Sequence, residues 1–267
     1  MVGLGYEKIR AQDIAAEIKR LCPYKAVHCV IIQDTDDSYA AITDGSRAAD
    51  TMMQDASLYV RMPIPISELI LGTECGGSDS CSGMSANLVL GEVSNMMVDA
   101  GGTSVLSETL EIIGAEHLIA ERAANEQVAK RCYEVINRCE ESAKALGADM
   151  RGTNPNPGNI EGGLTTIEEK SLGCIYKGGS RPLQAVIEYA EKITQKGLVW
   201  MDTPGQDIEQ LTALVAGGCQ IVVFTTGRGT PTGSAIVPTI KVASNSEMFN
   251  RMKEDMDLNV VTVITGE

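Results

Sequence analysis

Glu68-Leu69-Ile70-Leu71-Gly72 leads into Thr73-Glu74-Cys75-Gly76-Gly77-Ser78-Asp79-Ser80-Cys81-Ser82-Gly83. An apolar run of strand length passes into a loop of glycines and hydroxyls, and a helix is expected behind it from about Ala86 to Val98. The same order recurs downstream. Gly101-Gly102 opens the short strand Thr103-Ser104-Val105-Leu106-Ser107, and strands are expected at Leu198-Val199-Trp200-Met201 and Gln220-Ile221-Val222-Val223-Phe224, separated by a helix. Thr225-Thr226-Gly227-Arg228-Gly229-Thr230-Pro231-Thr232-Gly233 follows the last of these. Strand, glycine-bearing loop and helix in repetition predict a three-layer, Rossmann-like α/β fold with a largely parallel sheet. Ligands in such sheets bind at loops leaving the carboxyl ends of strands.

The rest of the chain fits around that core. Ile14, Ile18 and Leu21 recur at helical spacing before Pro23, and Ala26-Val27-His28-Cys29-Val30-Ile31-Ile32 reads as a buried strand. Asp34-Thr35-Asp36-Asp37 lacks the glycine and closing Glu of a calcium loop. A long amphipathic helix is expected from about Asn125 to Leu146, with Val128, Cys132, Val135 and Cys139 on its apolar stripe and Gly147 as cap. Residues 151–163 turn to Asn, Pro and Gly, as in a linker or a ligand-contacting loop. Helices are expected around Thr166 to Tyr176, Leu183 to Gln195 and from Glu247, and a strand at Val260-Val261-Thr262-Val263. The expected organisation is an α/β half over 1–150 and a second over 151–267, or one continuous domain.

The 267 residues carry 22 Lys+Arg against 36 Asp+Glu, a net charge of −14. A field of that sign repels nucleic acid and anionic membrane, so neither is an expected partner. With no membrane-length apolar run, and eight cysteines without a C-x-x-C pair, the sequence reads as a cytoplasmic protein with reduced thiols.

Two loops attract chemistry. Glu74 to Gly83 offers metal donors in Glu74, Cys75 and Asp79, and hydroxyls in Ser78 and Ser82, before a helix N-terminus. The bland reading is a tight turn with Asp79 or a serine as cap. In the second loop Arg228 could clamp a carboxylate, or merely pin the loop. Neither loop matches a nucleotide-binding pattern.

Glu74-Cys75-Gly76-Gly77-Ser78-Asp79, with Ser82-Gly83 and Ala86-Asn87, resembles the altronate/galactarate dehydratase family, which also includes sulfolactate sulfo-lyase. Ser107-Glu108-Thr109-Leu110-Glu111, Pro157-Gly158-Asn159, Glu168-Glu169-Lys170-Ser171-Leu172-Gly173, Asp202-Thr203-Pro204-Gly205, Phe224 to Pro231 and Ile240-Lys241-Val242 extend the resemblance in order over nearly the whole chain. The resemblance implies an Fe²⁺-dependent hydro-lyase acting on a small anionic sugar acid, with sulfite release from sulfolactate as the alternative chemistry. It implies Glu74, Cys75 and Asp79 as metal ligands, and Lys170, Glu108 and Arg228 as catalytic residues. Lys170 is the candidate for proton transfer, since a partly desolvated lysine gives up its proton more readily. Ser78, Ser82, Asn87, Asn159, Lys177, Thr226, Gly227 and Lys241 are the implied substrate contacts.

Family members are expected to carry a front part with a small β-rich domain, and many have Cys where Tyr6 stands here. The expectation is therefore a homo-oligomer or a chain paired with a missing N-terminal portion or subunit. A non-catalytic binding module is the contrasting possibility.

Overall fold

The computed structural model describes residues 1–266. Contacts divide the chain into two units, residues 1–63 and residues 64 onward. The division expected at 150/151 falls inside a short helix of the second unit, Met150–Thr153.

In the first unit, β1 (Val2–Gly3) pairs in parallel with β2 (Val30–Ile31), and helices α1 (Ala11–Leu21) and α2 (Ser38–Ser57) complete it. The strand expected over 26–32 is thus cut to two residues, because its only partner strand is two residues long. Asp37, in the rejected calcium-loop stretch, is the N-cap of α2. Its side chain accepts a hydrogen bond from the Ala40 amide at 2.8 Å.

The second unit runs β3 (Ile70–Gly76), α3 (Ala86–Asp99), β4 (Thr103–Leu106), α4 (Glu116–Ala120), α5 (Glu126–Ala145), α6 (Met150–Thr153), α7 (Pro157–Glu161) and α8 (Ile167–Ile175). It continues through β5 (Leu183–Ile187), β6 (Gly197–Met201), α9 (Asp207–Gly217), β7 (Ile221–Thr226), β8 (Thr239–Ala243), α10 (Ser246–Arg251), β9 (Leu258–Asn259) and α11 (Thr262–Thr265). The strands form one seven-stranded, all-parallel sheet in the order β5-β6-β4-β3-β7-β8-β9.

Alternation of side chains along each strand fills both faces. Leu106, Leu183, Leu198 and Trp200 pack on one face against α4, α5 and α8, including Cys132, Val135 and Ile136 of α5. Val105, Val199, Met201 and Val222 pack on the other against Leu211, Ala213 and Leu214 of α9. This is the three-layer α/β architecture that the recurring pattern predicts.

Two expectations fail. Leu183 to Gln195 is not a helix but begins as edge strand β5, whose register against β6 shifts between Leu183 and Ala185. That irregularity breaks the period-2 alternation and leaves apolar residues at helix-like intervals. The closing strand is Leu258–Asn259, not Val260 to Val263, since the edge of the sheet pairs only two residues there and the β-branched run turns into α11.

The chain builds outward from β3 to β4 and the β5/β6 edge, then crosses to β7 on the other side of β3. The switch point, between β3 and β7, is where such sheets open a crevice at the strand carboxyl ends.

Candidate active site

Cys75 is the penultimate residue of β3, at this switch point, and its side chain is buried. Glu108 follows β4 in a left-handed conformation, φ 69° and ψ 69°, which a glutamate adopts only at a cost of about 1–3 kcal/mol. The turn is held there by Thr203, whose Oγ1 accepts from the Glu108 amide at 2.8 Å and whose carbonyl accepts from the Thr109 amide at 3.0 Å. The strained turn aims the Glu108 carboxylate back at β3, where both oxygens accept from the Cys75 amide at 3.2 Å and Oε1 lies 3.3 Å from Cys75 Sγ.

Helix α8 and the 3-10 turn after it close the cluster. Cys174 Sγ lies 3.9 Å from Glu108 Oε2. Lys177 Nζ donates to Cys75 Sγ at 2.8 Å and to Cys174 Sγ at 3.2 Å, and forms an ion pair with Glu108. The Lys177 backbone is fixed by Ser94, whose hydroxyl donates to its carbonyl at 2.6 Å. Gly91 of α3 permits this approach, because a Cβ there would collide with the Tyr176 carbonyl. The Lys177 and Glu108 side chains are 0% exposed, so their pairing is not weakened by water.

Electrostatics follow from that burial. A hydrogen bond from Cys174, then the Lys177 ammonium, hold the Cys75 thiol well below its usual range. Burial, then the charge on Cys75, pushes the Glu108 carboxyl well above its range. Burial opposes the charge on Lys177, but the two cysteines and Glu108 outweigh it and raise its pKa.

The ligand atoms of Cys75, Glu108 and Cys174 lie within 4.8 Å of one another, so these three can hold a metal ion. Two thiolates and a carboxylate suit a borderline transition metal rather than a hard cation such as Mg²⁺. Among the described residues no other group of three such donors converges in this way.

Residues 66–267 match the family described as D-galactarate/Altronate dehydratase, C-terminal. The chain belongs to this family. It is 45% identical over 223 residues to the altronate dehydratase of Bacillus subtilis (strain 168), covering 82% of this chain and 44% of that protein. It is 36% identical over 271 residues to the galactarate dehydratase (L-threo-forming) of Escherichia coli (strain K12), covering 100% of this chain and 52% of that protein. It is also 38% identical over 236 residues to the (2R)-sulfolactate sulfo-lyase subunit beta of Chromohalobacter salexigens, covering 88% of this chain and 61% of that protein. The chain spans about half the length of the curated relatives it matches. The relatives are named as dehydratases and as a sulfo-lyase subunit.

The separate motifs that carry the family resemblance meet at this cluster: the β3 loop, the Glu108 turn, α8 and the Thr203 loop. Cys75, Glu108 and Lys177 converge as described. Glu74 does not join them. It turns to the opposite face of β3, toward the start of α9, with neither carboxylate oxygen hydrogen-bonded and the side chain fully buried. Burial, with the nearby charges of Glu108 and Asp207, pushes its pKa up to about 10, so it is protonated at neutral pH.

Asp79 is engaged elsewhere too. Its Oδ1 accepts from Ser82 at 2.7 Å and Ser244 at 2.8 Å, and its Oδ2 from Asn245 at 2.8 Å. Gly227 closes over this knot, where a Cβ would strike the Asp79 carboxyl. Asp79 thus ties the loop after β3 to the turn after β8. Asp79→Ala should lower stability by about 3 kcal/mol in urea denaturation, since several buried charge-assisted hydrogen bonds go at once. A loss below about 1 kcal/mol would show that the knot does not hold the loops.

Asn87 bridges α8 and β7, donating to the Gly173 carbonyl at 2.9 Å and accepting from Thr225 at 2.6 Å. Asn159 completes a capping box on α7 and donates to the Ser78 carbonyl at 2.9 Å, while Ser78 Oγ lies 3.8 Å from Cys75 Sγ. Thr226 accepts from the Gly229 amide at 2.9 Å. Lys241 donates to the Thr230 carbonyl at 3.2 Å, and Arg228 pairs with Glu161 at 2.6 Å, both partners being solvent-accessible.

A cleft of about 280 Å³ lies between the loop after β3 and α8, bordered by Ser78, Ser82, Asn87, Lys170 and Tyr176. Lys170 is largely buried in its wall, 2.9 Å from Glu111 and 2.8 Å from Asn154 Oδ1. Ser78 both lines the cleft and touches Cys75, joining cleft and cluster.

Sequence reasoning alone does not single out Cys174. The signal was present: Lys170, Cys174 and Lys177 recur at four and three residues, which puts them on one face of α8 and its extension.

Proposed function

We propose that the chain is the catalytic body of a sugar-acid dehydratase. It takes an aldonate or aldarate, such as altronate or galactarate, to a 2-keto-3-deoxy acid by β-elimination of water. The observation that carries this reading is the buried Cys75/Glu108/Cys174 cluster, with Lys177 among its donors, at the switch point of a dehydratase-family sheet.

The reaction removes a proton from the carbon beside a carboxylate, expels the neighbouring hydroxyl as water, and leaves an enol that tautomerises to the keto acid. Charge builds on the carboxylate oxygens as the proton leaves. Cys75, Glu108 and Cys174 would hold Fe²⁺, which supplies Lewis acidity to stabilise that charge. The donor set fits such an ion in type and spacing.

The chain's own residues supply the remainder. The cleft hydroxyls of Ser78 and Ser82 and the Asn87 amide border the space for a polyol chain. Lys170, in the cleft wall with its ammonium on Glu111 and Asn154, would serve as the proton donor to the departing hydroxyl. Arg228 and Lys241, on the loops after β7 and in β8, offer charge to the distal carboxylate of an aldarate in a protein whose net charge is −14.

The test is anaerobic incubation with Fe²⁺ and a panel of acids, the chain being assayed alone and together with the remaining half of a full-length relative. Keto-acid formation without sulfite is the expected outcome. Sulfite released from sulfolactate would instead favour the chemistry of the sulfo-lyase relative, whose 38% identity keeps that reading open. Turnover of neither, with the second half present and folded, would contradict the proposal.

A further inference from the structure

The three groups suited to hold a metal already have a cation among them. Lys177 Nζ lies 2.8 Å from Cys75 Sγ and 3.2 Å from Cys174 Sγ, and is ion-paired with Glu108. Its three N–H donors thus serve the same three side chains whose ligand atoms lie within 4.8 Å of one another. A metal ion has to sit about 2.0–2.3 Å from thiolate and carboxylate donors, in the space the ammonium now fills. Two cations at that separation, walled off from water, repel strongly. Ion and ammonium cannot share the cluster.

Resting on the reading of this cluster as a metal centre, we propose that Lys177 is a displaceable placeholder. Its ammonium holds the metal-free donors together and swings out when an ion enters. The residue type suits the task. A lysine is a compact point charge on a flexible four-carbon stem, able to leave by rotation of its side chain, whereas an arginine fork would be harder to dislodge. The backbone does not have to follow, because the Ser94 hydroxyl and the close contact with Gly91 anchor the turn.

Metal affinity in this protein is then the outcome of a competition. Removing the ammonium should raise it, the opposite of what loss of a supporting residue would do. The experiment is anaerobic equilibrium titration with Co²⁺, read by thiolate-to-cobalt absorption, of the full chain and of Lys177→Met. It is paired with a structure of the Co²⁺-loaded wild-type protein.

The variant is expected to bind at least on the order of tenfold more tightly, equivalent to one unit of log affinity. In the loaded wild type, Lys177 Nζ should lie beyond hydrogen-bonding reach of both sulfurs. Equal or weaker binding by folded Lys177→Met would overturn the proposal and leave the metal centre standing. If the variant does not fold, the loaded wild-type structure decides alone: Nζ still within hydrogen-bonding distance of both sulfurs, with cobalt on the cluster, overturns it. Absence of cobalt from the cluster in both proteins would overturn the metal reading itself, and this proposal with it.

Discussion

Lys177→Met is expected to lower the stability of the metal-free protein by about 3–5 kcal/mol in urea denaturation at pH 7. Methionine keeps most of the stem's length and apolar character, so the packing around it changes little. What disappears is the cation that donates to the Cys75 thiol, itself held well below its usual range, and pairs with the buried Glu108 carboxyl. An unpaired charge then remains among groups that are 0% exposed, or one of them must take up a proton. By contrast, Arg228→Met, which breaks an exposed ion pair with Glu161, should cost no more than about 1 kcal/mol. A comparable small loss for both variants would mean that the cluster carries no net charge to compensate.

Glu74→Gln should remove a pH dependence from the stability of the fold. The carboxyl of Glu74 has its folded-state pKa raised to about 10 from an ordinary 4.5. Between those values the unfolded chain has given up the proton and the folded protein keeps it. Stability therefore falls as pH rises through that window, by about 1.4 kcal/mol per unit from this group alone. Below the lower value the group contributes no slope. Glutamine keeps the shape without the titration, so the variant should gain on the wild type by about that amount for each unit from pH 6 to pH 8. A difference between the two proteins that is flat across this range would show that Glu74 is ionised and solvated in the folded state.

The parts of the fold that could be read from sequence are those where burial is two-sided or strongly periodic. β3, β4, β6 and β7 sit in the middle of the sheet and show as short apolar runs, and the stripe of α5 shows as a long helical repeat. At the edges the pattern weakens. β5 carries a register shift and mimics a helix, and β9 pairs two residues only. Helix α2, with Ala41 as its only buried residue, has too little apolar face to announce itself.

The site divides in the same way. Cys75 stands out because a thiol in a polar glycine loop is unusual, and Glu108 and Lys177 sit in or beside motifs of recognisable composition. Glu74 and Asp79 share the loop with Cys75 in sequence, but not its surroundings in space. Alternation along β3 sends Glu74 to the other face, and Ser82, Ser244 and Asn245 occupy Asp79. Cys174 and the Thr203 brace reach the site from stretches about 100 residues and more along the chain from Cys75, a proximity that only the sheet topology creates.

The most direct test of the central claim is anaerobic Fe²⁺ binding, measured as metal per chain after removal of free ion, for the wild type and for Cys75→Ser, Cys174→Ser and Cys132→Ser. Cys132 is fully buried in the core packed on α5 and is not one of the three donors, and so serves as the control thiol. The account predicts one tightly held ion in the wild type and in Cys132→Ser, the latter with lower thermal stability, and loss of that ion in both cluster variants with the fold retained. Undiminished iron in Cys75→Ser and Cys174→Ser, or none in the wild type, would contradict it.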